Sequence, residues 1–157
     1  MDRLDFLNEE LTDFKKKQID RLEFLNKELG SNYKSLDAVN WDNISDYQKL
    51  SENFIREFQY YVNWHSISQN KKLSEDFIRE FQYYVDWHLI SAYQKLSENF
   101  IREFQDKVDW FYISSYQKLS ENFIREFQYT VDWYNISRYQ KLSNNFTIIF
   151  QNKIKRF

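Results

Sequence analysis

One 23-residue sequence recurs five times along the chain and constrains its fold more than any other feature. The stretch LSENFIREFQYYVNW begins at Leu50, and nearly the same letters begin again at Leu73, Leu96 and Leu119, with a more altered copy at Leu142. The tryptophans keep the same 23-residue spacing: Trp41, Trp64, Trp87, Trp110 and Trp133. Such regular self-similarity is typical of proteins that stack one small structural unit on the next.

Each repeat carries the sequence signals of two short helices. Asn40 and Ser51 are good N-cap residues, because their side-chain oxygens can accept hydrogen bonds from the N–H groups of a first helical turn. The later repeats place Asn or Asp at the first of these positions and Ser at the second. The apolar residues of the second helix fall on one helical face: Phe54, Ile55, Phe58 and Val62.

Helices of about eight to ten residues are marginally stable on their own, so each repeat must pack against its neighbours. The sequence therefore predicts an all-α fold: an α-solenoid of five 23-residue helix-turn-helix repeats, spanning residues 39–157 with a C-terminal tail. A leucine-rich repeat has a similar period, but it needs an L-x-x-L-x-L frame followed by Asn, which these repeats lack.

The string LSENFIREFQ…VDWxxIS resembles the short Trp/Phe-rich repeats that occur in many copies in proteins of giant DNA viruses of protists. The resemblance covers residues 39–153 and extends to the specific residues of the string. That family has no assigned biochemical activity. The resemblance therefore implies a viral origin and an interaction scaffold, and it implies no catalytic residue.

Residues 1–30 differ from the repeats, and we predict that they cap the first one. The sequence DRLDFLNEEL at residue 2 returns as DRLEFLNKEL at residue 20, a shift of 18 residues that preserves the helical face. One amphipathic helix and a helical hairpin broken near Thr12 both fit this pattern, and a coiled-coil dimerisation helix is the alternative to a cap. The apolar stripe comprises Leu4, Leu7, Leu11, Phe14, Leu22, Leu25 and Leu29.

Residues 31–38 do not match the second-helix template and form a linker, so we expect the N-terminal helix to replace a preceding second helix. Gly30, the one glycine in the chain, is a candidate C-terminal cap of that helix.

Composition limits the classes of function. The chain has no cysteine for disulfides or thiolate metal sites, and a net charge of −2 gives no broad field that favours nucleic acid or membrane. The charged start does not resemble a signal peptide, and no stretch is long and apolar enough to span a bilayer. We expect an intracellular, cytoplasmic protein, in an infected host if it is viral.

Equivalent positions of the five repeats form columns, and three columns in the first helix of the repeat vary in sequence. They lie at positions i, i+1 and i+4, which share a helical face. We interpret this strip as a protein-binding surface, with Phe111, Tyr112 and Tyr134 as anchors. Drift of unconstrained exposed residues is the alternative. His88, Leu89 and Arg138 also belong to the predicted surface. The columns are Asp42, His65, His88, Phe111, Tyr134; Asn43, Ser66, Leu89, Tyr112, Asn135; and Asp46, Gln69, Ala92, Ser115, Arg138.

The last repeat departs from the others, because Asn144, Ile148 and Ile149 replace the Glu, Arg and Glu of the earlier copies. Two interpretations are open: a tail that folds back to seal the array, or a self-association surface, with two arrays meeting through a two-fold axis. The residues predicted for self-association are Ile148, Ile149, Ile154 and Phe157.

No constellation of residues predicts catalysis, a metal site or a cofactor. His65 and His88 share a column, and stacked helices would place them roughly 8–10 Å apart, too far for one metal ion. We therefore expect a non-enzymatic scaffold for protein–protein interaction, with a self-assembling homo-oligomer as the alternative. Single-stranded nucleic acid binding through one aromatic residue per repeat is a remote alternative, because the near-neutral charge argues against it.

Overall fold

A computed structural model describes residues 3–154 of the chain, with the side chains of residues 7–154. This range contains twelve α-helices, one short 3₁₀ helix at Leu36–Ala38 and no strands, which confirms the predicted all-α repeat fold. None of these helices combines the length and the apolar character required to cross a membrane. The α-helices are α1 Arg3–Leu29, α2 Trp41–Tyr47, α3 Glu52–Glu57, α4 Trp64–Asn70, α5 Glu75–Glu80, α6 Trp87–Tyr93, α7 Glu98–Glu103, α8 Trp110–Tyr116, α9 Glu121–Glu126, α10 Trp133–Tyr139, α11 Asn144–Ile149 and α12 Gln151–Ile154.

Each repeat contributes one helix that starts at tryptophan, helix A, and one that follows a serine cap, helix B. Asp86 shows the first cap, since its Oδ1 accepts from the backbone N–H of His88 at 3.0 Å. Ser97 shows the second, since its Oγ accepts from the N–H of Phe100 at 3.2 Å. The two helices have seven and six residues, shorter than predicted. Helix B ends because Phe104 leaves the helical region at φ −112° and ψ 28°, and a hydrogen-bonded turn continues to Val108.

The chain forms two compact units, Met1–Asn63 and Trp64–Phe157. The N-terminal unit holds α1, the linker and the first repeat, and the C-terminal unit holds the other four. Within the C-terminal unit the A helices pack in sequence, α4 against α6, α6 against α8 and α8 against α10, which is the stacking of an α-solenoid.

The core of each repeat is a cluster of aromatic rings. In the third repeat, the Trp87 ring lies 4.9 Å from that of Phe104 and stacks on Phe100 at 6.2 Å. Phe100 and Ile101 are completely buried. Burial of each such side chain contributes about 1.5–3 kcal/mol, so repetition of this cluster is the main favourable term in the stability of the array.

Within the C-terminal unit, a serine and a glutamine side chain connect each A helix to the next. The Ser91 hydroxyl donates to the Trp87 carbonyl at 2.7 Å and accepts from the backbone N–H of Asp109, in the following repeat, at 2.9 Å. Gln117 reaches back: its Nε2 donates to the carbonyls of Ser91 and Gln94, and its Oε1 accepts from the N–H of Leu96. These bonds satisfy backbone groups at the loops, where burial without a partner would be costly.

The B helices are connected by charged groups at the surface. Arg79 Nε donates to Glu103 at 2.8 Å, and Glu75 accepts from the Ser97 hydroxyl at 3.1 Å. Successive B helices are therefore parallel. The hydrogen bond to Glu103 raises the pKa of the Arg79 guanidinium, and Glu126 has the same effect on the pKa of Arg102.

Helix α1 is one continuous helix of 27 residues. Of the two arrangements that fit the sequence, a single helix and a helical hairpin, the structure has the single helix. Its C-terminal part covers α3: Leu25 is completely buried, and the Phe24 ring stacks on Phe58 at 6.2 Å. Gly30 ends the helix at φ 60°, and the N–H of Ser31 donates to the Asn26 carbonyl at 3.0 Å. A 6→1 bond around a left-handed glycine is a Schellman cap.

The contacts of α1 replace those of a preceding B helix, but in the opposite direction. Arg21 Nε lies 2.6 Å from Glu57 Oε1, and Glu28 Oε2 accepts from the Ser51 hydroxyl at 2.8 Å. Because the later residue of α1 meets the earlier residue of α3, the two helices run antiparallel. The N-terminal helix thus supplies the same arginine–glutamate and glutamate–serine contacts as a repeat.

Candidate protein-binding surface

The predicted anchors lie on helices α8 and α10. Phe111 and Tyr134 are 53% and 44% exposed, whereas Tyr112 is half-buried. The ring of Tyr112 meets Phe111 edge-on at 5.4 Å and stacks on Tyr116 at 6.0 Å. Helix α8 therefore presents three aromatic rings, with Tyr112 in contact with the other two; Phe111 and Tyr112 were predicted and Tyr116 was not.

A groove of about 420 Å³ runs between α6 and α8 beside these rings. Leu89 and Ala92 form one wall with Tyr93, and Tyr112 and Tyr116 form the other. The lining side chains are aliphatic and aromatic, and the three tyrosines add polar hydroxyl groups to them. A groove of this kind can hold an apolar side chain of a partner while the hydroxyls bond to its backbone.

The two histidines of the first column lie close to aspartates of the following repeat. His88 Nδ1 lies 2.6 Å from Asp109 Oδ2, and His65 Nδ1 lies 3.4 Å from Asp86 Oδ2. His88 thus lies within hydrogen-bond distance of the N-cap aspartate of the following repeat, and His65 lies farther from the equivalent aspartate. Among the side chains that the structure describes, residues 7–154, no group of three His, Cys, Asp or Glu could hold a metal ion. Phe111 and Tyr134 continue this column with rings that cannot make the same bond.

The second predicted column is not uniformly at the surface. Ser66 is 6% exposed and Asn135 is 2% exposed, whereas Leu89 and Tyr112 are half-buried in the groove. The prediction that this column is exposed is therefore wrong for two of its members. The column sits where one A helix packs on the next, a position that periodicity within a single helix does not identify. The side-chain nitrogen of Asn135 is buried and has no hydrogen-bond partner.

Arg138 extends the surface through its contact with Tyr134. Its Nη1 donates to the Tyr134 hydroxyl at 3.0 Å, and its guanidinium carbon lies 5.9 Å from the centre of that ring. Both side chains are exposed. The pair presents a cation and a ring together, which suits a partner with carboxylate and apolar groups.

Sequence reasoning missed a column of exposed tyrosines at the end of helix A. Tyr93, Tyr116 and Tyr139 are 59%, 64% and 55% exposed, and Tyr47 is 78% exposed. Variation between repeats does not indicate these positions, because tyrosine occupies them in four of the five repeats. The signal that could have found them is a large aromatic residue repeated outside the core face of the helix.

The C-terminal patch consists of Ile148, Ile149 and Ile154. The first two are 66% and 52% exposed, and Ile154 is half-buried. Helix α12 packs against α10 and α11, so the tail folds back in part, yet it leaves the two isoleucines of α11 uncovered. Phe157, the fourth predicted residue, lies outside the described residues.

Comparison with known proteins gives no relative for this surface. No protein-family model, curated protein or solved structure matches the chain.

Proposed function

We propose that the protein is a non-enzymatic scaffold that binds a protein partner along the strip formed by its A helices. The observation that supports this most is the aromatic groove between α6 and α8, where stacked tyrosines face Leu89 beside exposed Phe111. Adjacent exposed rings of this size are typical of binding anchors in protein interfaces. We also carry forward a viral origin, which the resemblance of the repeats implies.

Pre-ordering of the rings supports the same proposal. Tyr112 is held against Phe111 and Tyr116 in the free protein, so little conformational entropy remains to be lost when a partner binds. The groove would take an apolar side chain, and Tyr134 with Arg138 on α10 would offer a second contact within the strip.

The test is a pull-down from a protist host lysate with tagged protein, followed by affinity measurement with each purified captured protein. Replacing Phe111, Tyr112 and Tyr134 with alanine should weaken binding at least tenfold while leaving the circular dichroism spectrum unchanged. The matched control replaces Tyr60, Tyr83 and Tyr129, which are 79%, 86% and 88% exposed but lie outside the strip, and it should bind as the wild type does.

Equal losses in both triple variants would contradict a specific role for the strip. Loss of helicity in the first variant alone would assign these rings to folding and would also contradict the proposal.

Self-assembly is a second candidate function, favoured by the exposed C-terminal patch. An exposed apolar end of a repeat array is an association surface unless a capping element covers it.

A further inference from the structure

A second groove lies next to the aromatic groove, between the C-terminal ends of α4 and α6. Its volume is about 470 Å³, and it is lined by residues 69–73 and 93–95. Three of these residues are lysines, Lys71, Lys72 and Lys95, and no described aspartate or glutamate lines it. We call this the basic groove.

Two departures from the repeat sequence contribute to the basic groove. Asn70 and Lys71 stand where the other four repeats have tyrosine and glutamine. The asparagine is shorter than tyrosine and offers an amide in place of a ring. Lys71 is buried and already takes part in an interaction within the chain, so Lys72 and Lys95 are the cations that remain for a ligand.

The charges of these two lysines are not neutralised by their neighbours. Lys72 and Lys95 are exposed, and neither forms an ion pair or a hydrogen bond with the residues that the structure describes. The glutamates that follow them in sequence, Glu75 and Glu98, each accept a hydrogen bond from the serine cap of the following repeat, at 3.1 and 2.6 Å. Each glutamate also lies within 4.0 Å of an arginine of its own helix.

Gln94 fixes the two loops that carry these lysines. It is 5% exposed, its Nε2 donates to the Lys71 carbonyl at 2.7 Å, and its Oε1 accepts from the N–H of Leu73 at 3.0 Å. The backbone of Lys72 is therefore held beside that of Lys95 before any ligand binds. Such pre-organisation lowers the entropy cost of binding.

Tyr93 connects the basic groove to the aromatic groove, because it lines both. Leu89 and Ala92 lie with it in the aromatic groove, and the two lysines lie with it in the basic groove. A single tyrosine side chain separates the two grooves. Roughly two to four residues of extended chain, at about 3.3–3.6 Å each, would span from one groove to the other.

We propose that the partner presents an acidic linear segment, which places an apolar side chain in the aromatic groove and carboxylates in the basic groove, where they pair with Lys72 and Lys95. This inference rests on the proposed strip and names the chemistry of its partner. Unpaired ammonium groups beside an apolar groove favour carboxylates close to an apolar anchor. The observations favour nucleic acid less, because two lysines neutralise few phosphates and the chain has a net charge of −2.

Selection from a random 12-residue peptide library on the immobilised full chain tests the proposal. The enriched sequences should share an apolar residue with Asp or Glu about two to four positions away. A synthetic fluorescent copy of the most enriched peptide is then the probe for affinity measurements. Lys72→Glu combined with Lys95→Glu should weaken binding of the probe at least tenfold. Both lysines are exposed, so this double variant should keep the wild-type circular dichroism spectrum.

The matched control combines Lys15→Glu with Lys16→Glu. It changes the net charge by the same amount, at exposed positions on α1 that line neither groove, and it should bind the probe as the wild type does. A probe whose apolar residue is replaced by alanine should lose at least tenfold in affinity for the wild type.

The decisive arm reverses the charge on both sides of the contact. A copy of the probe with each acidic residue replaced by lysine should bind the wild type at least tenfold more weakly than the acidic probe does. The same basic probe should regain affinity for the Lys72→Glu, Lys95→Glu variant. Recovery in this pairing separates the charge contact from any change in the fold.

Four results would overturn the proposal. They are a selection that enriches no sequence, an enriched motif without acidic residues, equal affinity of the acidic probe for the wild type and the double lysine variant, and tighter binding of a 12-nucleotide single-stranded RNA than of the probe. The last result would assign the basic groove to nucleic acid.

A captured host protein distinguishes failure of this inference from failure of the proposed strip. If its affinity falls in the alanine variant of Phe111, Tyr112 and Tyr134 but not in the double lysine variant, the strip stands and this inference is overturned. If its affinity falls in the double lysine variant alone, the three anchors are contradicted and the lysine contact is supported.

Discussion

A buried serine hydroxyl joins each repeat to the next. Ser91 both donates to Trp87 and accepts from the N–H of Asp109, so its loss leaves that N–H without a partner. We predict that Ser91→Ala lowers the free energy of unfolding by about 1–3 kcal/mol. Ser137→Ala is the matched control: Ser137 has the same place in the last repeat but is exposed, and the change should cost under about 0.5 kcal/mol. Urea denaturation measures both, and equal effects would contradict an inter-repeat role.

Asn135 shows the opposite case, a buried polar group with no bond. Its Nδ2 is fully buried and has no hydrogen-bond partner. The third repeat has an apolar residue, Leu89, at the equivalent position. We predict that Asn135→Leu raises the free energy of unfolding by about 1–2 kcal/mol, because it removes a desolvation cost. Asn43→Leu, at the exposed end of the same column, should change it by less than about 0.5 kcal/mol. A loss of stability in Asn135→Leu would show that the amide oxygen has a role that outweighs the unpaired nitrogen.

Residue-level function could be predicted from sequence only where local signals decide it. The caps at Asp86 and Ser97 and the burial of Phe100 follow from side-chain chemistry and helical periodicity within one repeat. The exposure of Phe111 follows in the same way. The burial of Asn135 and the bonds of Ser91 depend instead on how neighbouring A helices pack. The sequence does contain one signal of that packing, a serine at the same place in all five repeats.

At the scale of elements, α1 shows how one helix can end an array. The direction of α1 relative to α3 could not be predicted from sequence. The helix presents the same apolar face whether it runs parallel or antiparallel to α3. The contacts of Arg21 and Glu28 settle it as antiparallel. Although α1 runs in the opposite direction to a B helix, it makes the contacts with Glu57 and Ser51 that a B helix of a preceding repeat would make.

The duplication in α1 provides its own control for the strength of this cap. Leu25→Ala should lower the free energy of unfolding by about 2–5 kcal/mol, because it opens a cavity at a completely buried position. Leu7→Ala changes the equivalent residue 18 positions earlier, which is 49% exposed, and should cost under about 0.5 kcal/mol in dilute protein. Denaturant titration at low micromolar concentration compares the two. A similar cost at both positions would mean that the two copies have the same environment.

At the scale of the whole molecule, the same hydrogen bonds recur between successive repeats of the C-terminal unit, whichever two repeats are neighbours. Ser68 and Ser91 make the same bond to the aspartate of the next repeat, and Gln94 and Gln117 make the same bonds to the previous one. A repeat can therefore be removed from the C-terminal unit without removing any type of contact. Deletion of residues 87–109 joins Asp86 to Trp110 and would bring Gln117 opposite Ser68.

We predict that this 23-residue deletion gives a folded protein with unchanged mean residue ellipticity. Its unfolding should remain cooperative, with a smaller urea m-value and a lower midpoint, because one repeat and one interface are lost. Deletion of residues 87–112 is the control. It is three residues longer and removes Trp110, whose ring packs 4.9 Å from Phe127, together with the first turn of α8. That variant should lose helicity beyond the deleted residues, since its repeats no longer share a register. If both deletions unfolded the protein equally, individual neighbour contacts and not the repeat period would determine its stability.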